Sequence, residues 1–600
     1  MLQFQIPTKN TKLFQQVNKG DVLGNLVATF GMDFDAVEGR ARVSRRLRIN
    51  ADDTDDAQLG LPTAFARHGG GSGQGSATNR WWALCDTRLF YTAGTNPSAA
   101  FTEAVSDDGG TTSPPTTLTK ESSDLVVFNE KLYVSDTTDI NEYNNTVWDN
   151  AWWLTTLGKS ALTSGILHPL AVTVKTNKLL IGDGNLIHTV DKNEKVSTSR
   201  VILPAEFRIR WIETFKEGTW IGTKHLEGGE AKVFFWDESA ENYNGGYGVK
   251  SLISFAGIIK DGICYTVNQA GQLLGFDGSG FKEVAVFPIY QRDATWSDNS
   301  VRRHGMAIID EKIHILVNSQ ESNAVNVADL SETFPTGIWE FDKNRGITHK
   351  YPINQYDGTE SDYGVILNLN GNVGALVATN NAQGKMLVGA GIQNAPFGTN
   401  NVLEAILYLD PTDAIPKRGY FITTLFESSG FEDAFQDLLV AFKRLRSSSD
   451  KIIIKYRTVK NPNYPIYNDV AATWSDTDTF TTDEDLANAV VGDEVLIING
   501  LGSGTTAHIS SISLVGSTYT VNLDETIPNV SGKLAFIINN WRKCATINTQ
   551  SIERQGFFLD TVGTWIQLKV EMRSASGSTK AGDSPELEKI VVNSLPEAVI

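Results

Sequence analysis

The sequence predicts an all-β fold: a β-propeller of about seven blades, followed by a β-sandwich that carries an inserted SH3-like small barrel. Three observations lead to this prediction. The 600 residues include 53 glycines and 10% aromatic residues, a composition that suits short strands joined by tight turns. A strand–turn–strand pattern recurs through the first two thirds of the chain. After about Arg418 the repeat stops, and a different set of strands begins.

Length and composition bound the class of protein. At roughly 150 residues per domain, the chain is too long for a single core. Its hydrophobic fraction of 41% is enough for packed cores rather than wholesale disorder. No apolar run approaches the roughly 18 residues that a membrane-spanning helix needs. The opening Met1–Pro7 lacks the basic flank and apolar stretch of a secretory signal.

Few residues in the sequence suggest chemistry. Cys85, Cys264 and Cys544 are widely spaced, and none of the eight histidines stands in an H-E-x-x-H arrangement. These patterns favour neither a disulfide framework nor a metal site built from cysteine or histidine. No G-x-S-x-G elbow is present. The sequence therefore assigns no catalytic, cofactor-binding or metal-binding residue, and it predicts a protein that is not an enzyme.

The repeat predicts the propeller. Each copy is an apolar strand, a polar turn and a second strand, and the turns are centred on Arg88, Lys131, Lys178, Gly218, Gly262, Lys312 and Lys385. Spacings of 40 to 50 residues match one four-stranded blade, and the final spacing of 73 implies an insertion around 319–336 or 355–362. A β-sandwich or a row of hairpins is the alternative. The blade count also depends on whether N-terminal residues complete the last blade.

Residues 1–78 are interpreted as a separate N-terminal segment. Strand alternation over Val37–Ile49 places four arginines on one face and apolar residues on the other. The arginines are Arg40, Arg42, Arg46 and Arg48. They form either a basic ridge for phosphates or an acidic partner, or a solvated strand face. Asp52–Asp56 is interpreted as a solvated loop and Gly69–Ser76 as a flexible linker.

The remaining boundaries follow from the change in pattern. We assign residues 79–418 to the propeller, 419–485 and 541–600 to the β-sandwich, and 486–540 to the inserted small barrel. Phe431–Leu445 carries apolar residues at helical spacing. We nevertheless predict a strand from Phe435 onward, because the segment runs into the strong strand Ile452–Arg457.

Both ends of the chain resemble a known family of proteins. Lys12–Leu26 and Arg42–Leu47 are similar to the start of propeller proteins of bacteriophage tails. Segments near the other end resemble the β-sandwich that accompanies such propellers: Ile454–Thr458, Trp474, Gln567–Val570 and Ser584–Leu587. The whole arrangement resembles the tail nozzle (tubular tail) proteins of short-tailed phages. The inserted barrel departs from the simplest form of that family.

The resemblance implies a structural role in the virion. In the family, six copies form a ring that prolongs the DNA channel below the portal and adaptor. The same resemblance implies contacts with portal, adaptor and tail fibre proteins and with the host cell envelope, after synthesis in the bacterial cytoplasm. Double-stranded DNA would pass without specific binding. A net charge of −18 is compatible with that passage, because an acidic wall repels the polyanion.

The alternative is a virion-associated propeller that binds or degrades glycans, as an adhesin or a depolymerase. Ser106–Thr112 echoes the Ser-x-Asp-x-Gly-x-x-Trp box of sialidase blades once, but Ser113 stands where the tryptophan belongs. The Trp81-Trp82 and Trp152-Trp153 pairs offer rings for sugar stacking, although burial in blade cores suits such large rings better. His168 and His304 are interpreted as structural histidines.

Overall fold

The computed structural model describes most of the chain. The described residues are 2–7, 26–34, 40–44, 47–52, 59–68, 80–92, 94, 96–104, 113–119, 123–144, 147–287, 296–298, 300–318, 336–343, 346–353, 373–380, 385–393, 402–409, 418–423, 425–427, 433–447, 450–458, 472–497, 506–527, 533–534, 536–574 and 584–596. Within them the structure is all-β apart from one π-helical turn, Trp152–Thr156. The all-β prediction is confirmed.

Five strands precede the first blade. They are β1 (Leu2–Pro7), β2 (Leu26–Phe30), β3 (Met32–Asp33), β4 (Ala41–Val43) and β5 (Arg48–Asp52).

Twenty-seven strands build the repeat region. They are β6 (Pro62–His68), β7 (Arg80–Cys85), β8 (Arg88–Thr92), β9 (Phe101–Glu103), β10 (Leu125–Phe128), β11 (Lys131–Ser135), β12 (Ile140–Tyr143), β13 (Trp148–Asp149), β14 (Leu170–Val172), β15 (Leu179–Asp183), β16 (Leu186–Val190), β17 (Val196–Ile202), β18 (Phe207–Phe215), β19 (Gly218–His225), β20 (Lys232–Trp236), β21 (Gly245–Gly248), β22 (Ser254–Lys260), β23 (Ile263–Asn268), β24 (Gln272–Phe276), β25 (Phe281–Val286), β26 (Met306–Ile309), β27 (Lys312–Val317), β28 (Gly337–Asp342), β29 (Gly346–Pro352), β30 (Val373–Asn380), β31 (Lys385–Gln393) and β32 (Val402–Leu409).

Fifteen strands follow. They are β33 (Arg418–Thr423), β34 (Phe426–Glu427), β35 (Asp433–Phe442), β36 (Lys451–Arg457), β37 (Ala472–Asp476), β38 (Thr479–Thr482), β39 (Glu494–Ile497), β40 (Thr506–Val515), β41 (Thr518–Leu523), β42 (Lys533–Leu534), β43 (Phe536–Asn539), β44 (Arg542–Ile547), β45 (Arg554–Gly563), β46 (Trp565–Arg573) and β47 (Glu586–Pro596).

The repeat region forms a closed wheel of seven four-stranded antiparallel sheets. Six sheets, blades 1 to 6, take four consecutive strands each: β6–β9, β10–β13, β14–β17, β18–β21, β22–β25 and β26–β29. Blade 7 joins β30, β31 and β32 to β5 from the N-terminal segment. The first strand of each blade contacts the first strand of the next, and β30 contacts β6, which closes the circle. Closure covers the faces of sheets that could not bury themselves alone.

Two-residue turns explain the sharpness of several blade hairpins. Asn129-Glu130, Asp261-Gly262 and Asp310-Glu311 each join the first and second strands of a blade with positive φ at both positions. This backbone geometry suits the right-handed twist of a hairpin. It favours glycine, yet two of these turns carry glutamate at the second position.

The structure moves the start of the wheel. Residues 1–78 were predicted to precede the propeller, but β6 forms the first strand of blade 1 and β5 the last strand of blade 7. The turn at Arg88 consequently joins the second and third strands of its blade, whereas the other six turns join the first and second. The apolar β6 was overlooked because its partner follows Gly69–Ser76, which lies outside the described residues together with 319–335 and 355–362.

Two six-stranded sheets combine both ends of the chain. Sheet A has the order β3-β4-β47-β35-β45, with β1 also paired to β47, and sheet B has the order β2-β33-β46-β36-β44, with β34 paired to β46. Apolar residues from both sheets belong to one buried cluster, including Leu438 and Ile590 from sheet A and Ile454 and Val570 from sheet B. The prediction of a strand from Phe435 is confirmed, since β35 is the central partner of β45 and β47.

A seven-stranded sheet, the insert sheet, is formed between β36 and β44. Its order is β42-β37-β38-β41-β40-β39-β43. The sequence assigns residues 419–485 to the β-sandwich, but β37 and β38 belong to the insert sheet. The reason is its core: Phe480 of β38 is fully buried and packs against Phe536, with ring centroids 4.7 Å apart.

Candidate functional site

Two loops of the wheel meet across its axis. Asp124 precedes β10 of blade 2, whereas Arg303 and His304 precede β26 of blade 6. The Nε2 atom of His304 lies 2.7 Å from Oδ1 of Asp124, and the Arg303 guanidinium lies 3.2 Å from the same oxygen. Blade 7 joins them, because the Leu376 amide donates to the carbonyl of His304 at 2.7 Å. The axis is therefore bridged by an ionic cluster, which we call the axial cluster.

Asp124 is committed to this bridge. Besides Arg303 and His304, the backbone amides of Leu125 and Leu170 donate to its carboxylate at 2.7 and 2.8 Å. Burial alone would raise the pKa of Asp124, but Arg303, His304 and the amide donors hold it well below its usual range. A carboxylate that already accepts four donors has little capacity for a substrate. Asp124 therefore has a structural role, in which its carboxylate connects blades 2, 3 and 6.

Glu213 is the second carboxyl of this region. It lies on β18, the first strand of blade 4, and is partly buried. Burial, and then the negative charge of Asp124, raise the pKa of Glu213 to about 8. Its carboxyl is therefore largely protonated at neutral pH. A protonated and an ionised carboxyl are what glycoside hydrolysis uses, but here the ionised partner is held by Arg303 and His304 and is not available as a nucleophile.

The tryptophan pairs lie in the blade cores. Trp81, Trp82, Trp152 and Trp153 are all at most 5% exposed. Trp82 packs edge-on against Trp148, with ring centroids 6.0 Å apart. The interpretation of these rings as blade packing is confirmed.

His168 and His304, the two histidines singled out in the sequence, lie in different surroundings. His168 is fully buried, and its Nδ1 lies 3.1 Å from the carbonyl of Gly182. This contact confirms the interpretation of His168 as a structural histidine. His304 belongs to the axial cluster. The three cysteines are free, with Cys85 and Cys264 buried and Cys544 partly buried.

The described arginines of the predicted ridge are divided between two sheets: Arg42 lies on β4 of sheet A, just after Arg40, and Arg48 lies on β5 of blade 7. Arg40 pairs with Glu586 and Glu588 of β47 at 2.7 and 2.9 Å, and Arg42 pairs with Asp33 at 3.3 Å. These pairs fix the N-terminal segment to sheet A, so the structure favours an internal role over a phosphate-binding ridge. Arg45 and Arg46 lie outside the described residues, as do 53–56 and the Ser106–Thr112 motif of the glycan hypothesis.

One surface cleft is a candidate for the glycan site of the alternative hypothesis. It has a volume of about 370 Å³ and lies beside blade 1, between Arg88, Glu103 and the Ser113–Thr116 segment. Among the described residues that line it, Glu103 is the one carboxylate, and it pairs with Arg88 at 3.0 Å. Glycoside hydrolysis needs two carboxyl groups, and the described lining supplies one.

The outer strand of blade 6 joins the wheel to sheets A and B. The Gly31 amide donates to Nδ1 of His349 at 3.1 Å, and the His349 amide donates to the Thr29 hydroxyl at 2.8 Å. Burial lowers the pKa of His349 to about 3, so its ring is neutral. The buried cluster of sheets A and B continues into blades 5 and 6 through residues such as Trp339 and Phe255. Wheel and sheets thus share one continuous core.

A buried ionic network joins sheet B to the insert sheet. Lys455 of β36 contacts Glu494 of β39, and its Nζ lies 2.8 Å from Glu571 of β46. Lys569 reaches Glu494 at 2.8 Å, and the Arg418 guanidinium lies 3.1 Å from Glu571. All five side chains are fully buried. We call these five residues the junction network.

The junction network holds three cations and two carboxylates, and each group shifts the pKa of its neighbours. Burial alone would raise the pKa of Glu494, but Lys455 and Lys569 lower it to about 2. Burial lowers the pKa of Lys455 in spite of its two carboxylate partners. Removing one member would weaken the compensation of the opposite charges that stay buried beside it. Sequence reasoning missed these residues and the axial cluster, because their members are isolated in the sequence and meet only in the fold.

The described residues contain no group of three or more His, Cys, Asp and Glu side chains arranged to hold a metal ion. Within the same residues, no helix has the length and hydropathy to span a bilayer.

Comparisons with known proteins reach only the fold level. No protein-family model and no curated protein matches the sequence. Among solved structures, the WD40 domain of Neurospora crassa Pan2 aligns with 60% of this chain and 91% of its own, at 9% identity and a TM-score of 0.34. The β-propeller domain of Myceliophteria thermophila Cps50 (Swd1) aligns with 58% and 97%, at 7% identity and a TM-score of 0.34. The designed protein Ika8 aligns with 59% and 96%, at 11% identity and a TM-score of 0.31.

Such low TM-scores carry no argument about function. The assignment of a β-propeller rests on the seven four-stranded sheets and on the contact between β30 and β6 that closes their circle.

Proposed function

We propose that this chain is a structural component of a bacteriophage tail, a nozzle subunit whose copies form a ring around the DNA path. The observation that carries the proposal is the interlocking of the chain. The described strands within the first 52 residues join sheet A, sheet B and blade 7. The wheel and the pair of sheets A and B, which we call the double sheet, therefore cannot separate unless strands unfold. A rigid multi-domain unit suits a scaffold that transmits force between neighbours.

The axial cluster bears on where DNA would pass. A B-form duplex is about 20 Å wide, whereas the wheel's axis is bridged by a contact of 2.7 Å between Asp124 and His304. In this proposal the conduit is therefore enclosed between copies of the chain, and the wheel is a building block of its wall. The net charge of −18 keeps such a wall from holding the passing polyanion.

The finer domain assignments belong to the same proposal. We interpret sheets A and B as a β-sandwich, because their apolar faces share one core. The insert sheet is interpreted as an SH3-like small barrel of seven short strands around Phe480 and Phe536. By resemblance, the partners are further copies in a hexameric ring, the portal and adaptor, tail fibres and the host envelope, and the site of action is the virion.

Imaging of the purified full-length chain tests the proposal. The expected result is a population of closed rings of uniform size in negative stain, together with no release of reducing sugar from bacterial polysaccharide. A monomer that cleaves polysaccharide would overturn the proposal in favour of a depolymerase. A monomer that binds glycan without turnover would overturn it in favour of an adhesin.

A further inference from the structure

The insert sheet carries a hairpin that extends beyond its core. The first four residues of β40 are buried, and Thr506 is fixed to sheet B by accepting a hydrogen bond from Arg573 at 2.8 Å. The outer half of β40 is largely exposed. At about 3.3 Å per residue, its end at Val515 lies at most about 30 Å from Thr506. The turn between β40 and β41 therefore lies at the end of the insert sheet away from its attachment to sheet B.

The tip of this hairpin is apolar. Leu514 is 53% exposed and Val515 is 75% exposed, and Gly516 makes the turn with φ of +67°. Consecutive strand residues point to opposite faces, so the tip presents apolar groups on both sides. An exposed valine and leucine at the end of a long hairpin are costly to hydrate, and burial against a partner removes that cost.

Acidic residues flank the hairpin. The Thr518 hydroxyl donates to Asp483 at 2.6 Å, and the Tyr519 hydroxyl donates to Asp485 at 3.2 Å. Glu484 lies between these two exposed carboxylates and is itself exposed. The hairpin is thus an apolar tip beside a group of three acids.

Sheet A presents a surface of matching character. Its last strand, β45, exposes 88% of Phe558 and 45% of Val562, and the neighbouring β35 exposes 43% of Leu439. Arg554 and Arg444 lie at one end of this surface and are exposed, with no ion pair among the described residues. We call these five residues the Phe558 surface.

Unsatisfied polar atoms lie next to Phe558. Asp437 is its register partner on β35, and Asn593 is the register partner of Asp437 on β47. In the described part of the chain, Oδ1 of Asp437 and Oδ1 of Asn593 are buried without a hydrogen-bond donor. Buried acceptors of this kind are costly unless a donor reaches them.

From this complementarity we propose that the β40–β41 hairpin of one copy docks on the Phe558 surface of a second copy. Two features favour a second copy as the partner. Three acids beside the hairpin tip complement two arginines beside the Phe558 surface, and the apolar tip matches the apolar side chains of that surface. The contact joins different surfaces of identical chains, so repetition produces a closed ring or a filament. The inference rests on the proposed function and names the contact that builds its ring.

Complementation of two variants of the full-length chain tests this contact. The first carries Leu514→Asp and Val515→Asp, and the second carries Phe558→Asp. None of the three side chains is in a core, so circular dichroism and thermal unfolding should remain as in the wild type. For each variant alone, the protein concentration at which rings form should rise at least tenfold. An equimolar mixture should recover dimers but no rings, because one intact tip meets one intact surface.

A cysteine pair provides a second measurement. Val515→Cys combined with Phe558→Cys should give intermolecular disulfides under a mild oxidant, while either single variant should not. Both changes are made in a Cys544→Ser background, because Cys544 is partly buried and its Sγ lies 3.9 Å from the carbonyl of Phe558. Cys85 and Cys264 are buried and stay in place. Val174→Asp, at a position 63% exposed in the wheel, serves as the matched control and should assemble normally.

The outcomes separate the two claims. Rings that persist in both aspartate variants would overturn the docking proposal and leave the nozzle function standing. An equimolar mixture that forms no dimers would also overturn the docking proposal, because the tip of one copy would then not bind the Phe558 surface of another. A wild-type chain that stays monomeric at tens of micromolar would overturn both.

Discussion

The wheel and the double sheet differ in how far along the sequence their partners lie. In blades 1 to 6 each strand pairs with its neighbour in sequence, whereas sheet A pairs β1 with β47 and β4 with β47. Blade 7 belongs to both patterns, because β32 pairs with β5. Local pairing leaves a repeat in the sequence, and distant pairing does not. The stability of the two regions should accordingly depend on different contacts.

The largest effect is expected at the junction network. Lys455→Met leaves Glu494 and Glu571 buried with fewer compensating charges, and we expect a loss of about 3–5 kcal/mol in the free energy of unfolding. Urea denaturation of the full chain measures it. Lys451→Met is the matched control on the same strand, since Lys451 is a third exposed and lies 3.9 Å from Glu525. An equal, small effect of both changes would contradict the role of the network.

Next is the closure of the wheel. Asn50→Pro with Ala51→Pro removes backbone donors from β5 and should loosen blade 7, with a loss of about 2–3 kcal/mol. The control, Lys282→Pro with Glu283→Pro, makes the same change in β25, the fourth strand of blade 5.

Only the first of these double variants opens the circle. Limited proteolysis should therefore cut it within several blades, whereas the control should be cut near β25 alone. Identical cleavage patterns would mean that β5 is dispensable for closure.

A pH-dependent effect is expected inside the wheel. The unfolded chain loses the Glu213 proton near pH 4.5, but the folded chain keeps it until about pH 8. The unfolded state then binds fewer protons, so Glu213 makes stability fall as the pH rises from 4.5 to 8. Glu213→Gln should raise stability by about 2 kcal/mol at pH 8 and change it little at pH 4. Thermal unfolding at the two pH values measures this difference. A gain that is the same at both would refute the assignment.

The smallest effect concerns the hairpin turns. Glu311 has a φ of +58° where Gly262 occupies the corresponding turn of blade 5 with a φ of +78°. Glu311→Gly should stabilise the chain by about 0.5–1 kcal/mol, because glycine adopts this backbone without strain. Gly262→Ala is the reverse change and should destabilise it. Calorimetry resolves both shifts, and a loss on Glu311→Gly would show that the turn is not strained.

The comparison also explains what could be predicted from the sequence. All seven repeat turns join two consecutive paired strands as predicted, because each hairpin carries its own turn residues and alternation. The repeat could not predict that β5 completes blade 7, since about 350 residues separate β5 from its partner β32 in the chain. Asp124 and His304, 180 residues apart, gave no signal for the same reason. Partners that are distant in sequence become visible only when strands are paired.

The central claim is that the interlocked chain is a scaffold subunit that assembles into a ring. Single-particle imaging of the purified, full-length protein tests it most directly. The account predicts closed rings of one size in which every subunit shows a seven-bladed wheel joined to a double sheet. Dispersed single molecules, or rings whose subunits lack the wheel, would contradict it.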